Sequence, residues 1–357
     1  MFFSSYSAFG LDLSDLSVKL AWLKRSGQQL NLASFIRQDI PENIIESGII
    51  KKEDELIDLI KKTVAQAKGE KIKTKFCVVS LPETESFIRV VQLPKIKEDE
   101  IAEAIKWELE ANIPVSIEDV YFDWQKVEVD FSSPDHMDIL IGALPKTLVD
   151  PYLNVIKKAN LKPLVFEIES IATARALINR KGPVDPLFII DIGAKRTSLI
   201  IFAGGTVLLT TSLPISNNLL IEDIAKGLQI DYLKAKKMKI KIGLDLFKEG
   251  GKVFRIIEPR LLELVGEIKK YIEYYNAILL SKYPQKTGIT KILLCGGGAN
   301  LNGLPGFLSS ELKTEVAIGN PWNNILDPDT KELPGLPFSE SLSFTTALGL
   351  ALRGADF

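Results

Sequence analysis

Two stretches of the chain repeat one pattern, an aspartate at the end of an apolar strand. The first reads FGLDLSDLSVKLAWL from Phe9, and the second reads FIIDIGAKRTSLIIF from Phe188. When Asp12 is placed on Asp191, the two stretches align without a gap at a separation of 179 residues, about half of the chain. A buried carboxylate costs several kcal/mol unless it is paired or hydrated. The pattern therefore predicts two similar halves, each with an acid at a functional position.

Each copy continues into a further apolar strand, predicted at residues 29–37 and 206–213, so each half is expected to begin with a three-stranded meander. If the halves face each other, Asp12 and Asp191 emerge from facing turns into one cleft. Paired carboxylates on facing loops hold Mg²⁺, often through water, while turn amides bind phosphates. The alternatives are a chance likeness of two β-hairpins and, for each aspartate, a turn residue that caps its own backbone.

A third element of the same cleft is predicted at residues 289–312, which read ITKILLCGGGANLNGLPGFLSSEL. The pattern is an apolar strand, three consecutive glycines and then a helix. Such a turn lets a backbone approach a ligand closely, and the amides at a helix N-terminus suit phosphate or ribose oxygens. Taken alone, the glycines are equally typical of a tight strand-to-helix turn.

Composition limits the class of protein. The 357 residues are enough for two or three domains, with 46% apolar and 25% charged residues, as in ordinary soluble globular proteins. A net charge of -2 gives no electrostatic support for nucleic-acid binding. Cys77 and Cys295 lie in separate apolar strands without metal-ligand spacing, which favours a reduced, cytoplasmic protein. The uncharged stretch 197–221 is interpreted as two strands joined at Gly204-Gly205 rather than a membrane span.

Together these motifs resemble the actin-like ATPase superfamily, which implies a two-lobed α/β fold. Asp12 with Lys19 is similar to its first phosphate loop, the segment from Asp191 to Thr197 to its second, and CGGGANLNGLP to its adenosine motif. Within the superfamily the chain resembles the PilM family of type IV pilus assembly proteins, which is related to FtsA. The resemblance runs nearly end to end. Its most specific stretch is AIKWELEANIP, and the final SFTTALGLALR is one of several further stretches that support it.

The resemblance implies binding of ATP or ADP with Mg²⁺, and weak or absent turnover. The cofactor-binding residues that it implies are Asp12, Ser14, Ser17, Lys19, Asp191, Gly193, Thr197, Gly296, Gly297, Gly298 and Asn300. Asp12 and Asp191 would hold the metal ion, through water. No catalytic residue is assigned.

One departure bears on this site. First loops of the family read close to GLDIGSSSVK, whereas this chain reads GLDLSDLSVK, with Ser14 and Asp15 in the turn. A residue other than glycine at a turn that requires positive φ costs ~1 kcal/mol or more, and an extra acid repels phosphates unless a cation offsets it. We therefore expect a working nucleotide site, with a weakened or lost site as the alternative. Lys195 and Arg196 at the second loop are expected to reach a phosphate or to face solvent.

The first lobe is interrupted by an insert in which strands are predicted at 86–93, 121–129 and 137–144, around a loop at 130–135. Helices are predicted at 97–112 and from Thr147, as the N-cap, to Asn160, with Pro151 in its first turn. In the family, such an insert forms a small subdomain called 1C. The implied division of the chain is 1–83 (subdomain 1A), 84–163 (1C), 164–184 (return to 1A), 185–216 (2A), 217–285 (2B), 286–340 (2A) and 341–357 (C-terminal helix on 1A).

The second half is expected to contain helices at 219–228, 232–241 and 259–280, a proline- and asparagine-rich loop at 320–338, and a last helix at 344–353 that returns to the first lobe. The basic residues at 234–241 are interpreted as a solvated helix face. The apolar stripe of the 259–280 helix is interpreted as core packing.

The implied function is a cytoplasmic component of the type IV pilus inner-membrane platform that binds the N-terminal tail of a PilN-type membrane protein. The tail would lie in a groove between subdomains 1A and 1C, with Arg89, Trp107 and Glu108 as partner-binding residues. Membrane contact would be indirect, and self-association is conceivable. One alternative is an FtsA-like division protein, which usually carries an amphipathic C-terminal membrane helix that this sequence is expected to lack. Another is a small-molecule kinase of the same fold.

Overall fold

The computed structural model describes residues 7–27, 29–113, 116–127, 136–179, 185–279, 288–326 and 334–357. In this part of the chain the strands form two large sheets, a three-stranded sheet and a short hairpin. The strands are β1 (Phe9–Ser14), β2 (Ser17–Ser26), β3 (Gln29–Asp39), β4 (Ile45–Glu46), β5 (Ile49–Ile50), β6 (Lys68–Gly69), β7 (Phe76–Leu81), β8 (Phe87–Pro94), β9 (Val120–Lys126), β10 (His136–Pro145), β11 (Lys162–Ile168), β12 (Leu187–Ile192), β13 (Thr197–Ala203), β14 (Thr206–Leu213), β15 (Lys291–Cys295) and β16 (Glu315–Ile318). The helices are α1 (Glu53–Ala65), α2 (Glu98–Asn112), α3 (Lys146–Lys158), α4 (Glu169–Leu177), α5 (Asn217–Leu228), α6 (Tyr232–Lys241), α7 (Lys252–Tyr274), α8 (Leu304–Leu312), α9 (Phe338–Ser341) and α10 (Thr345–Gly354).

The two large sheets share one topology. The first runs β3-β2-β1-β7-β11, with β6 added beside β3, and the second runs β14-β13-β12-β15-β16. In both, the aspartate strand pairs antiparallel with the next strand of the hairpin and parallel with a later strand. Even the irregularities match, because the register shifts at Trp22 and at Ile201 are themselves 179 residues apart. The predicted pair of similar halves is therefore confirmed, and the fold is the predicted two-lobed α/β arrangement.

Helices α4 and α10 pack against each other beside the first sheet, and α10 lies directly over β1 and β2. The packing is close enough that a Cβ on Gly349 would come within 1.8 Å of the Ala172 carbonyl oxygen, so only glycine fits there. The predicted return of the last helix to the first lobe is confirmed.

The insert has a core of its own. Strands β8, β10 and β9 form its antiparallel sheet, and α2 buries Ile101, Ile105 and Leu109 against one face of that sheet. Helix α3 behaves differently, since its buried residues join the hydrophobic core of the first lobe. The element order predicted for residues 84–163 is observed, whereas the subdomain boundaries themselves stay predictions.

Two predicted helix starts are wrong. Helix α3 begins at Lys146 after Pro145, so Thr147 lies inside the helix and caps nothing, and Pro151 lies beyond the first turn. Helix α7 begins at Lys252, because Val253 and Ile257 extend its buried face by two turns and the helix continues through Pro259. Helices α2, α5 and α6 agree with prediction to within about two residues. Val129, the loop at 130–135 and Leu280 lie outside the described residues.

Candidate functional site

A cleft of about 710 Å³ separates the two lobes, and the turns after both aspartates open into it. Most of the residues predicted to bind a cofactor line this cleft, namely Asp12, Ser14, Ser17, Lys19, Asp191, Gly193, Gly296, Gly297 and Asn300. The two acids that the sequence placed on equivalent turns therefore share one cavity. The volume lies in the range of sites for small molecules and cofactors.

Asp12 is buried and fully engaged by its own lobe. One carboxylate oxygen accepts a hydrogen bond from the Lys19 ammonium at 2.7 Å, and the other accepts from the Ser80 hydroxyl at 3.2 Å. Ser80 in turn accepts from the backbone N–H of Leu13 at 2.9 Å. The strand register explains the ion pair, because Asp12 and Lys19 are directly opposite in the β1–β2 hairpin. Lys19 thus places its charge at the floor of the cleft.

Asp191 occupies the equivalent position of the second lobe without a cation of its own. Burial raises the pKa of Asp191 to about 6, while Lys19 lowers it, the charge of Asp12 raises it and a hydrogen bond from the Cys295 thiol lowers it. Cys295 is the neighbour of Asp191 in the parallel strand β15. The carboxyl of Asp191 is therefore poorly compensated, as expected for a group that receives a ligand cation.

Two further acids reach the cleft and were missed by the sequence analysis. Glu169 is the first residue of α4, and burial raises its pKa well above the ordinary value, with further increases from Asp12, Glu83 and Asp191. Burial likewise raises the pKa of Glu83 to about 7. One oxygen of Glu83 accepts a hydrogen bond from the Thr210 hydroxyl of the opposite lobe at 2.7 Å.

The first turn is not strained, contrary to the expectation for Ser14. Neither Ser14 nor Asp15 has positive φ, although the two strands join through a two-residue turn between the paired Ser14 and Ser17. The extra acid is also compensated. Asp15 accepts from the backbone N–H groups of Ser47 at 3.1 Å and Gly48 at 2.8 Å, and it lies 3.7 Å from the guanidinium of Arg196 across the cleft.

The glycine turn after β15 comes close to Asp191. Gly296 has φ +78°, and a Cβ there would lie 2.2 Å from Oδ1 of Asp191. Gly297 and Asn300 line the cleft beyond it, and the side-chain amide of Asn300 donates to the Ser339 carbonyl at 2.8 Å. The turn can therefore bring backbone amides to a ligand where any side chain would obstruct it.

Two predicted cofactor residues lie behind the wall of the cleft. Thr197 is fully buried, and its hydroxyl donates to the Ile215 carbonyl at 2.7 Å. Gly298 is buried against Ile192, where an added Cβ would come within 2.2 Å of a methyl carbon. Both positions support the turns that face the cleft, and neither residue lines the cleft itself, so a contact of either with a cofactor stays a prediction.

The cleft fits a nucleotide with a divalent cation better than it fits a bare metal ion. Within the described residues, no three His, Cys, Asp or Glu side chains are grouped to bind a metal ion. Mg²⁺ is usually held by one or two carboxylates together with water and substrate phosphates. Asp12 and Asp191 supply that number, Lys19 supplies a cation, and Gly296 leaves room for a close approach.

A second cavity of about 920 Å³ lies between the first lobe, the insert and the edge of the second lobe. Consecutive residues of β9 and of β11 line it, and each of these strands is at the edge of its sheet. Apolar side chains dominate the lining, among them Leu140, Leu164 and Phe202, beside a partly buried ion pair of Arg175 with Glu167. We call this cavity the groove.

The partner-binding residues predicted from the sequence are not in the groove. Arg89 lies on the face of β8 that packs towards α2, as do its neighbours Val91 and Leu93, and its guanidinium donates to the Asn112 side chain at 2.8 Å. Trp107 and Glu108 are on α2 itself, with Trp107 67% exposed. Helix α2 covers the face of the insert sheet opposite the groove, so these three residues lie outside the groove, and their role in partner binding stays a prediction.

Comparison with known proteins agrees with this geometry. The family model described as type IV pilus assembly protein PilM matches residues 10–355. A solved PilM-PilN type IV pilus biogenesis complex has a TM-score of 0.81 and 27% identity, covering 98% of this chain and 99% of that chain. MreB5 of Spiroplasma citri bound to ADP has a TM-score of 0.54 and 15% identity, covering 95% of this chain and 94% of that chain, and shares the fold alone.

Among curated sequences, the cell division protein FtsA of Escherichia coli (strain K12) is 24% identical over 226 residues, which cover 57% of this chain and 52% of FtsA. The chain thus spans about half the length of the curated relatives that it matches. In the described residues no helix is both long and apolar enough to span a bilayer. The end-to-end family match, together with the duplicated cleft, shows that the chain belongs to the PilM family of type IV pilus assembly proteins and has an actin-like fold.

Proposed function

We propose that this protein is a nucleotide-binding member of the type IV pilus assembly platform that holds the N-terminal cytoplasmic tail of a PilN-type membrane protein in the groove. It works on the cytoplasmic side of the inner membrane and reaches the membrane through that partner. The observation that carries the proposal is the coexistence of two separate cavities, a charged cleft between the lobes and an apolar groove beside two open strand edges.

ATP or ADP with Mg²⁺ is the ligand that the cleft supports best. Lys19 lies where it can bind phosphate oxygens, and the turns at Gly193 and Gly296 offer backbone amides to the phosphates and the adenosine. Asp12 and Asp191 hold the metal ion through water, and the bound Mg²⁺ neutralises phosphate charge. Raised pKa values let Glu83 and Glu169 hold protons at the back of the cleft, which limits repulsion of the phosphates.

The groove suits an extended peptide. Its two walls include β9 and β11, which in the described part of the chain have no neighbouring strand on their outer edges, and a peptide strand can add to such an edge through main-chain hydrogen bonds. Between the walls, apolar pockets at Leu140, Leu164 and Phe166 can receive alternate side chains. Main-chain pairing supplies affinity in this mode, and the pockets supply sequence preference. The related PilM-PilN complex supports a PilN-type peptide as the occupant.

A direct test measures binding of a synthetic PilN-type N-terminal peptide by calorimetry, with and without ATP and Mg²⁺. The Leu164→Glu change places a charge in the groove and is expected to weaken peptide binding at least tenfold while nucleotide binding persists. Trp107→Glu makes the same kind of change on the opposite side of the insert and should leave the peptide Kd within twofold.

Two results would contradict the proposal. One is the absence of peptide binding to the unmutated protein, and the other is equal weakening by both variants. Tight binding of the purified protein to protein-free liposomes would refute the indirect membrane tether and favour the FtsA-like alternative.

A further inference from the structure

The tip of the β4–β5 hairpin lies between the nucleotide cleft and the core of the first lobe, and it makes contacts on both sides. Its two turn residues, Ser47 and Gly48, have φ values of +51° and +81°. Positive φ at both residues is what a two-residue hairpin turn favours, and glycine adopts it readily whereas serine does so at a cost. Pro82 packs closely enough that a Cβ on Gly48 would come within 2.7 Å of its ring. The tip is therefore held in one conformation by its neighbours.

On one side the tip contacts the nucleotide cleft. The backbone N–H groups of Ser47 and Gly48 both donate to Asp15, whose carboxylate also faces Arg196 of the second phosphate loop at 3.7 Å. Asp15 thus links the tip to both lobes. An anionic phosphate in the cleft repels the Asp15 carboxylate and attracts the Arg196 guanidinium, so the position of Asp15 depends on what the cleft contains.

On the other side the tip contacts the helix that walls the groove. The carbonyl of Gly48 accepts a hydrogen bond at 2.8 Å from the hydroxyl of Tyr152, which is completely buried in the first-lobe core. Tyr152 is on α3, and its neighbours Val149 and Leu153 line the groove. A ligand that packs against Val149 and Leu153 therefore contacts α3, the helix that positions Tyr152.

We propose that the Ser47-Gly48 tip couples the two cavities, so that an extended peptide in the groove and a nucleotide in the cleft strengthen each other's binding. This inference rests on the proposed function for the identity of both ligands. A peptide that packs against α3 fixes the position of this helix, and the hydroxyl of Tyr152 then fixes the carbonyl of Gly48. The backbone amides of the tip consequently hold the Asp15 carboxylate, which keeps it away from the phosphates. By linkage, a nucleotide that drives Asp15 onto the same amides favours the peptide-bound position of α3 equally.

The test is a linkage cycle measured by calorimetry. The Kd of MgATP is determined with and without a saturating PilN-type N-terminal peptide, for the unmutated protein and for Tyr152→Phe. We expect the peptide to lower the nucleotide Kd at least fivefold in the unmutated protein and by less than twofold in Tyr152→Phe, which keeps the ring but loses the hydroxyl. Each single ligand should still bind the variant.

Two additional variants make the test specific. Tyr271→Phe removes a hydroxyl that contacts Thr211 in the second lobe, and it should keep the full fivefold effect. Asp15→Asn changes the other end of the connection, and it should reduce the effect below twofold whatever it does to nucleotide affinity alone. Both changes preserve side-chain shape, so loss of folding, monitored by thermal unfolding, is not expected.

The outcomes separate this inference from the function on which it rests. If the unmutated protein binds no peptide or no nucleotide, the proposed function fails and the coupling fails with it. If both ligands bind but the peptide changes the nucleotide Kd by less than twofold, or raises it, only the coupling is overturned. Retention of the full effect in Tyr152→Phe would overturn the assigned route through the tip.

Discussion

The two aspartate turns follow the same strand pairing, but the charges of their aspartates are compensated differently. Asp12 faces Lys19 at 2.7 Å, whereas the position equivalent to Lys19 in the second half, 179 residues later, is Ser198. Burial consequently raises the pKa of Asp191 to about 6, and the charge of Lys19 and a hydrogen bond from the Cys295 thiol offset only part of this increase. A duplicated fold has thus kept the geometry and divided the roles. One turn carries a compensated charge pair, and the other carries a buried acid whose charge is poorly compensated.

The largest expected effect comes from removing the cation on which both turns depend. Lys19→Met leaves Asp12 buried without its ion-pair partner, and loss of one member of a buried pair costs about 3–5 kcal/mol. Denaturant unfolding at pH 7 measures this loss. The matched control is Lys24→Met on the same strand, because its ion pair with Glu70 is exposed and such pairs contribute about 0–1 kcal/mol. Equal losses in the two variants would contradict the account.

Replacing each aspartate in turn tests directly whether the two turns differ in charge compensation. Asp12→Asn leaves Lys19 without its counter-charge and should lower the free energy of unfolding by about 2–4 kcal/mol at pH 7.5. Asp191→Asn removes a poorly compensated charge and should raise it by about 1–3 kcal/mol. Opposite signs in denaturant unfolding would confirm the division of roles. Losses of similar size in both variants would show that the two turns are electrostatically equivalent.

The pH dependence sharpens the same point. The folded-state pKa of Asp191 is raised from 3.8 to about 6, so the folded protein binds this proton more tightly than the unfolded chain does. The contribution of Asp191 to the free energy of unfolding is therefore fully present below about pH 4 and is lost as the pH rises to about 6. Glu83 acts in the same direction between about pH 4.5 and 7. Unfolding of Asp191→Asn and Glu83→Gln across pH 4–8 should show a flatter profile than that of the unmutated protein, and an unchanged slope would contradict these assignments.

The smallest expected change in stability concerns the glycine beside Asp191. Gly296→Ala forces a Cβ to within 2.2 Å of the carboxylate at φ +78° and should cost about 1–3 kcal/mol, with a loss of nucleotide affinity. Gly250→Ala is the control, since it also has positive φ but an added Cβ meets no atom within 4 Å. A difference between the two variants in thermal unfolding isolates the contact with Asp191 from the cost of the backbone conformation. No difference would show that the contact is unimportant.

Much of the fold was predictable because one local pattern occurs twice at a fixed separation. The pattern of apolar residues around Asp12 and Asp191 predicted the positions of the strands, and the repeat predicted that the two halves of the chain are similar. Glu169 and Glu83 were not predictable in the same way, since each is a single acid in a distant element that only the topology brings to the cleft. Glu169 in LVFEIESIATARAL was nevertheless a usable signal, because it is an acid at the start of a largely buried helix.

The sequence itself explains why Arg89, one of the predicted partner-binding residues, lies outside the groove. Residues two apart on a strand share a face, so Arg89 had to lie with Val91 and Leu93, which α2 covers. The side of the insert sheet that faces the groove, by contrast, depends on how the sheet packs against the first lobe. That arrangement is set by contacts far apart in sequence, and local periodicity does not report it.

The central claim is that the paired acids mark a nucleotide site, and calorimetry of MgATP binding tests it most directly. The account predicts sub-millimolar binding to the unmutated protein and a Kd at least tenfold weaker for Asp191→Ala. Trp107→Ala, far from the cleft on the outer face of α2, should bind as the unmutated protein does. Absence of measurable binding to the unmutated protein at millimolar MgATP would contradict the claim and show that a first loop with Ser14 and Asp15 has lost the ligand.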